Sequence, residues 1–335
     1  PAPDIKEGWV CKDCKEISPN VIVYDEAHKL KNPTSIIGST ARQLSDIQEE
    51  FYPFNSYRFL LSGTPAPKSP SDWWNLCEVA CPGYLREGNI YAFNERYGEW
   101  DKAEGAYGEY PRLIKWKVEE IEKLNLRLKD IRSVYFKKDC LDLPDIIYNR
   151  IKIPIESNYK KYIALINTTY TKAITKLSAL RALSDGFIYH KEYDELNGVT
   201  KIDATYLPNN PKIKQLKGDL EEYEDTGRMI IYAGFTASVD AVVSTCLEAG
   251  WTVLRMDGRG SKVLGSIYSV NECLKEMDGS INQDYIEKLV VVAQTDAAST
   301  GLEFSASPVI IYFSNSFNSA NREQSEARPH SNNMN

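Results

Sequence analysis

The residues best placed to do chemistry are Asp25, Glu26 and His28, which follow the apolar run Val21-Ile-Val-Tyr24 and lead into Ala27, Lys29, Leu30, Lys31 and Asn32. Two adjacent carboxylates and an imidazole at the end of an apolar strand suit metal-assisted phosphoryl transfer. The run before Asp25 fits a buried parallel strand, and ligands of open α/β sheets bind just beyond the carboxyl ends of such strands. Asp25 would hold Mg²⁺ through its water shell, because Mg²⁺ takes few protein carboxylates and keeps waters for substrate phosphates. Glu26 would orient or deprotonate the attacking water. The competing reading is a solvated turn after a strand, and a bare D-E-x-H does not decide between the two.

The elements that must position these groups are legible downstream. Tyr57-Arg-Phe-Leu-Leu61 is a second apolar strand, ending in Ser62-Gly63-Thr64-Pro65, and the stretch from Ser71 to Ala80 fits a helix that runs on into Cys81-Pro82-Gly83-Tyr84-Leu85. These residues resemble motifs II and III of superfamily-two helicases, and specifically the SWI/SNF-type family of DNA-translocating ATPases. In that family the DEAH box continues into a Lys-Asn pair, here Lys31-Asn32, and the Gly-Thr-Pro turn precedes a helix ending in Pro-Gly-Tyr-Leu. The resemblance implies two RecA-like lobes, each a parallel sheet flanked by helices, that clamp ATP and Mg²⁺. Their closure and opening would drive movement along double-stranded or forked DNA. It implies that His28, Ser62, Gly63 and Thr64 relay the nucleotide state to the DNA surface.

Composition limits the alternatives. With 335 residues, 42% hydrophobic and 26% charged, the chain can bury two cores and has no disordered character. Its apolar runs, such as Leu289–Ala293, are strand-sized, which leaves no membrane helix and no apolar signal core. A net charge of −7, shared almost evenly by the two halves, means that nucleic acid would have to find a local basic stripe. Seven irregularly spaced cysteines argue for reduced thiols and an intracellular setting: bacterial or phage-infected cytoplasm, or the nucleus of a eukaryote. The absence of bromo-, chromo- or basic-tail segments favours a compact bacterial or phage protein. Cys11-Lys-Asp-Cys14 could form half of a zinc site, with Cys77 and Cys81 a conceivable second half that also suits helix packing.

Alternating strand and helix signals predict an α/β fold. We place lobe 1 at residues 1–145 and lobe 2 at 146–335, with the boundary after the Leu143-Pro144 turn. Ile146–Ile155 is expected as the strand leading into lobe 2. One long helix is expected over Tyr159 to Leu180, with a single apolar face, followed by a loop over residues 190–210 and a helix over Pro211–Tyr223. Arg228–Phe235 followed by Thr236 resembles motif IV, where a helix N-terminus can face DNA phosphate. Leu289–Phe304, with Thr295, Ser299 and Gly301, resembles motif V, whose small residues let the backbone approach DNA. Phe317-Asn318 sits where the family has Trp-Asn.

Arg322 to His330 resembles motif VI, and there the family spacing supplies Gln324 and Arg328 but places Ser331 where a second arginine is usual. Glu303 and Ser319 also stand in for the family's Asn and Pro. The resemblance makes Arg328 the cleft-crossing arginine on the γ-phosphate, a task suited to a fixed fork of charged donors. No G-x-x-x-x-G-K-[ST] phosphate loop occurs in these residues. We therefore expect an internal piece of a longer protein, with lobe 1 incomplete at its N-terminus and no ATPase activity in isolation. Two other classes remain open: a non-hydrolysing DNA-binding or assembly module with a degenerate motif VI, and a motor subunit of a restriction or nuclease system.

Overall fold

A computed structural model describes residues 19–66, 69–105, 108–194, 199–280, 286–295, 302–315, 317 and 319–330. The chain divides into two compact units, Pro1–Tyr135 and Phe136–Asn335. Both are mixed α/β.

In the first unit β1 (Val21–Tyr24) and β2 (Tyr57–Leu60) pair in parallel, with Val21 opposite Tyr57 and Tyr24 opposite Leu60. The connection between them carries the 3₁₀ turn Ala27–Leu30 and helix α1 (Ile36–Phe51). Ser35 caps α1 by accepting the Gly38 N–H, which satisfies one of the helix's orphan donors. Helices α2 (Asp72–Ala80) and α3 (Ile90–Tyr97) follow, then the antiparallel hairpin of β3 (Gly98–Gly105) and β4 (Gly108–Trp116), and α4 (Val118–Leu128). One core joins Trp74, Leu85, Phe93, Tyr97, Leu124 and Leu128. Another joins Ala27 and Leu30 of the turn to Ala41, Leu76 and Val79, which fixes the turn against α1 and α2.

The second unit begins with the short helix α5 (Lys137–Cys140), then α6 (Ser157–Thr169), α7 (Ala173–Ser184) and the antiparallel hairpin β5 (Phe187–Asp194) with β6 (Val199–Tyr206). Its main layer is a five-stranded sheet of β7 (Arg228–Tyr232), β8 (Thr252–Asp257), β9 (Gly260–Leu264), β10 (Leu289–Ala293) and β11 (Val309–Tyr312), in the order β11-β7-β10-β8-β9. Helices α8 (Pro211–Glu222), α9 (Thr236–Glu248), α10 (Val270–Met277) and α11 (Ser319–Ala327) complete it. Strands β7, β8, β10 and β11 are parallel. Cores lie on both faces of the sheet, one around Val239, Val242 and Trp251 and one around Cys273, Met277 and Phe304.

Four sequence expectations need correction. Ile146–Ile155 forms no strand and enters no ladder among the described residues, and Ile147 is 91% exposed. Its alternating isoleucines look like a strand, but Pro154 removes a donor and Tyr148 is tied down through its side chain, donating to Glu326 at 3.1 Å. The long helix is two helices, α6 and α7, because the β-branched Thr168-Thr169 and Thr171 weaken helical propensity. Thr168 also turns its hydroxyl back onto the carbonyls of Ala164 and Leu165. Its expected stripe is broken accordingly: Tyr159 and Ile166 are buried, while Ile174 is 66% exposed. The expected loop at 190–210 is largely the β5–β6 hairpin. Finally, the sheet is not purely parallel, since β9 folds back antiparallel on β8 through a turn in which Gly260 takes φ +93°. Among the described residues no helix is long and apolar enough to cross a membrane.

Candidate active site

The acids sit where the parallel ladder of the first unit runs out. Leu61 N–H donates to Tyr24 O and Ala27 N–H to Leu61 O, both at 2.9 Å, so the register continues past the two strands and sets the Asp25–His28 turn beside Ser62. Asp25 is exposed, and its Oδ1 accepts the N–H of Glu26 at 2.8 Å. Glu26 is in the left-handed region, with φ 49° and ψ 44°. A side chain there costs about 1 to 3 kcal/mol and persists only where the surroundings impose it. That strain falls on the residue with the most demanding proposed chemistry.

His28 joins the two motifs. Its Nδ1 lies 3.1 Å from Glu26 Oε2 and 3.4 Å from Ser62 Oγ, and Ser62 Oγ in turn accepts the Thr64 N–H at 3.3 Å. Burial holds the imidazole below its usual pKa, against a weaker upward pull from Glu26. Thr64 Oγ1 is buried without a hydrogen-bond partner, and Gly63 is exposed between the two hydroxyl residues. Lys31 continues the chain of contacts to Asp72 in the first turn of α2, at 3.5 Å. The expected grouping of Asp25, Glu26, His28, Ser62, Gly63 and Thr64 is therefore one continuous site. A single exposed carboxylate fits a Mg²⁺ held mainly through water, and among the described residues no three potential ligands converge as a direct metal cage would require.

Cys77 does not suit zinc. It is buried in α2, and burial pushes its thiol up to about 12, the opposite of what a thiolate ligand needs. Cys81 is exposed, and Cys11 and Cys14 lie outside the described residues.

In the second unit the remaining candidates gather at the carboxyl end of the sheet. Thr236 is exposed at the first position of α9. Thr295, just past β10, is only 5% exposed. Its neighbour Gln294 ties two strand ends together, donating its N–H to Met256 O at 2.9 Å and accepting the Gly258 N–H at 3.3 Å. Gln324 is half-buried on α11, which Tyr312 anchors by a 2.6 Å hydroxyl contact to Ser325. Arg328 follows α11, and its Nη1 donates to Leu302 O at 3.0 Å, where the motif V segment re-enters. Ser299, Gly301 and Ser331 lie outside the described residues.

Sequence reasoning missed Asn75, a wholly buried amide on α2 that bonds to Leu30 O at the end of the 3₁₀ turn. It missed Arg181, whose guanidinium stacks between Phe235 and Phe317 beside the start of α9. Neither has a signal in sequence, because both contacts join residues far apart in the chain.

This arrangement matches a known family. The model of the SNF2-related domain matches residues 8–178, half of the chain, and covers both the Asp25–His28 turn and the Ser62–Thr64 loop. The chain belongs to the SNF2-related domain family. It is 22% identical over 94% of its length to a probable chromatin-remodeling complex ATPase chain of rice, covering 27% of that protein. It is also 22% identical to the human SWI/SNF-related matrix-associated actin-dependent regulator of chromatin subfamily A member 1, across 89% of this chain and 27% of that one. An uncharacterized ATP-dependent helicase of Mycoplasma genitalium matches 92% of the chain at 22% identity, again over 27% of its own length. The chain thus spans about a quarter of the curated relatives it matches. Among solved structures, the C-terminal part of the Fun30 ATPase domain overlaps 38% of this chain and 38% of its own, at 22% identity and a TM-score of 0.30, too slight a likeness to carry the fold.

Proposed function

We propose that the full-length protein hydrolyses ATP in a DNA-dependent manner and uses the cycle to move along duplex DNA. The observation that carries this reading is the contact chain from Glu26 through His28 to Ser62, which joins a water-activating carboxylate to a loop able to sense whether phosphate is present. Asp25, exposed at the mouth, would hold Mg²⁺, which when bound offsets phosphate charge. Glu26 accepts the proton of the attacking water and is steadied by His28 Nδ1. Neutral His28, with its lowered pKa, follows movement of either neighbour by re-aiming one ring nitrogen. The chain acts as two lobes, residues 1–145 and 146–335. Exposed Thr236 meets DNA from the second, the motif V residues Thr295, Ser299 and Gly301 belong to the same DNA-binding role, and Gln324 and Arg328 serve the nucleotide.

Residues 1–335 contain no G-x-x-x-x-G-K-[ST] phosphate-cradling loop, so on this reading they turn over no ATP by themselves. The names of two of these relatives, an ATPase chain and an ATP-dependent helicase, support the reaction class. Translocation is tested by displacement of a third strand from a triplex placed ahead of the full-length protein on duplex DNA. We expect ATP-dependent displacement and ATPase stimulation by duplex. Stimulation without displacement would reduce the protein to a DNA-gated ATPase, and DNA binding without either would make it a non-hydrolysing module.

A further inference from the structure

We infer that Asn75 is the positioning residue that latches the Asp25–His28 turn into its working shape, an inference that rests on the hydrolase reading above. The turn is held at its start by the bond from Ala27 N–H to Leu61 O. The 3₁₀ turn that continues it is held at its end by Asn75, whose Nδ2 donates to Leu30 O at 2.5 Å and also to Gly38 O at 3.3 Å. One amide thus ties the turn, the start of α1 and the middle of α2 together. The fit is close: a Cβ on Gly38 would lie 2.1 Å from Asn32 O and 2.9 Å from Leu30 O, so only glycine lets α1 come this near.

Two features separate Asn75 from ordinary packing. It is 0% exposed, yet its Oδ1 has no hydrogen-bond partner. A bare buried carbonyl costs about 1 to 3 kcal/mol, which an apolar side chain of the same size at this position would avoid. Secondly, the strain in the turn is concentrated at Glu26, whose left-handed backbone must be imposed from outside. The sheet imposes one side of it, through the bonds of Leu61 N–H to Tyr24 O and of Ala27 N–H to Leu61 O, but β1 and β2 themselves end before the turn, and its far side is held elsewhere. Ala27 and Leu30 pack on Leu76 and Val79, but apolar contacts do not fix a peptide's orientation. The donor at Asn75 does fix it at Leu30, and through the three peptides of the 3₁₀ turn it sets the aim of the Glu26 carboxylate.

Asn75→Leu keeps the volume and removes both the donor and the bare oxygen. In the full-length protein we expect thermal stability within a few degrees of wild type, kcat for DNA-stimulated hydrolysis reduced about 10-fold or more, and KM for ATP nearly unchanged, as misaimed catalytic groups produce. Asn75→Asp supplies a chemical rescue. Buried against two carbonyl oxygens, the new carboxyl has a raised pKa and donates only when protonated, so its kcat relative to wild type should climb as pH falls. A folded Asn75→Leu with wild-type kcat, or a pH-independent ratio for Asn75→Asp, overturns the latch. If Asn75→Leu fails to fold, the pH ratio decides alone. If wild-type protein hydrolyses no ATP, the hydrolase reading fails, and hydrogen exchange then decides the latch. The amides of Ala27 and Lys29, bonded to Leu61 O and Glu26 O, should exchange faster in Asn75→Leu or Asn75→Asp than in wild type, and unchanged protection would overturn the latch.

Discussion

The two parallel sheets differ in what holds them. In the second unit all five residues of β10 are buried, β7 and β10 are flanked by strands on both sides, and apolar cores cover both faces. In the first unit β1 and β2 pair only with each other among the described residues, and one face carries Val21, Val23, Tyr57 and Phe59, each roughly half exposed. Parallel strands are normally covered on both faces. The acidic turn nevertheless grows from the barer sheet. Its geometry draws on the two Leu61 backbone bonds together with side-chain hydrogen bonds from α2 and the His28 bridge, whereas the rim of the second unit rests on a sheet covered on both faces.

The largest expected effect that sharpens this contrast is at Arg328. If it supplies the charge that meets the γ-phosphoryl group, Arg328→Ala should slow hydrolysis by about 10³-fold or more in the full-length protein, and Ser331→Arg should leave the rate unchanged or raise it. Normal turnover in Arg328→Ala would remove it from the site and leave its bond to Leu302 O as its role.

Next come the sheets themselves. Ile231 in β7 is 0% exposed, so Ile231→Ala should destabilise the second unit by about 2 to 5 kcal/mol. Val23 in β1 is 57% exposed, and Val23→Ala should cost under about 1 kcal/mol. Denaturant titration of residues 1–335 with one probe in each unit reads both, and equal costs would erase the distinction drawn here.

The smallest effects concern titration and thiols. With burial holding its folded pKa below the usual 6.5, His28 binds fewer protons folded than unfolded, so its contribution favours folding above pH 6.5 and is lost as pH falls toward the folded value. His28→Gln should flatten that part of the stability profile of the first unit, and an unchanged profile would place the titration elsewhere. Cys81 should alkylate readily in the native protein while Cys77, buried with its thiol pushed up to about 12, stays protected, as mass spectrometry of the labelled chain would read.

Much of this was legible in the sequence, for a physical reason. Val21–Tyr24 and Tyr57–Leu60 are short apolar runs ended by groups that cannot continue a strand, and the motifs at Asp25 and Ser62 sit at those ends. The hairpins were hidden because their strands are studded with charge, as in Glu99-Trp-Asp-Lys102 paired against Arg112 and Lys115, so no apolar alternation stands out. Ile146–Ile155 misled in the opposite direction, since its alternation is clear but no partner strand meets it among the described residues. Thr295 shows the limit for site residues: type and motif mark it, and only the fold reveals that it is nearly enclosed. Asn75 was invisible because its bond to Leu30 spans 45 residues.

The central claim is that Glu26, held in a strained turn beside His28, prepares water for attack on ATP. Glu26→Gln in the full-length protein tests it, with nucleotide binding and steady-state hydrolysis measured on the same preparation in the presence of duplex DNA. The account predicts that ATP binds with nearly unchanged affinity, because loop and metal hold the phosphates, while turnover is abolished. Turnover within a few-fold of wild type would contradict it.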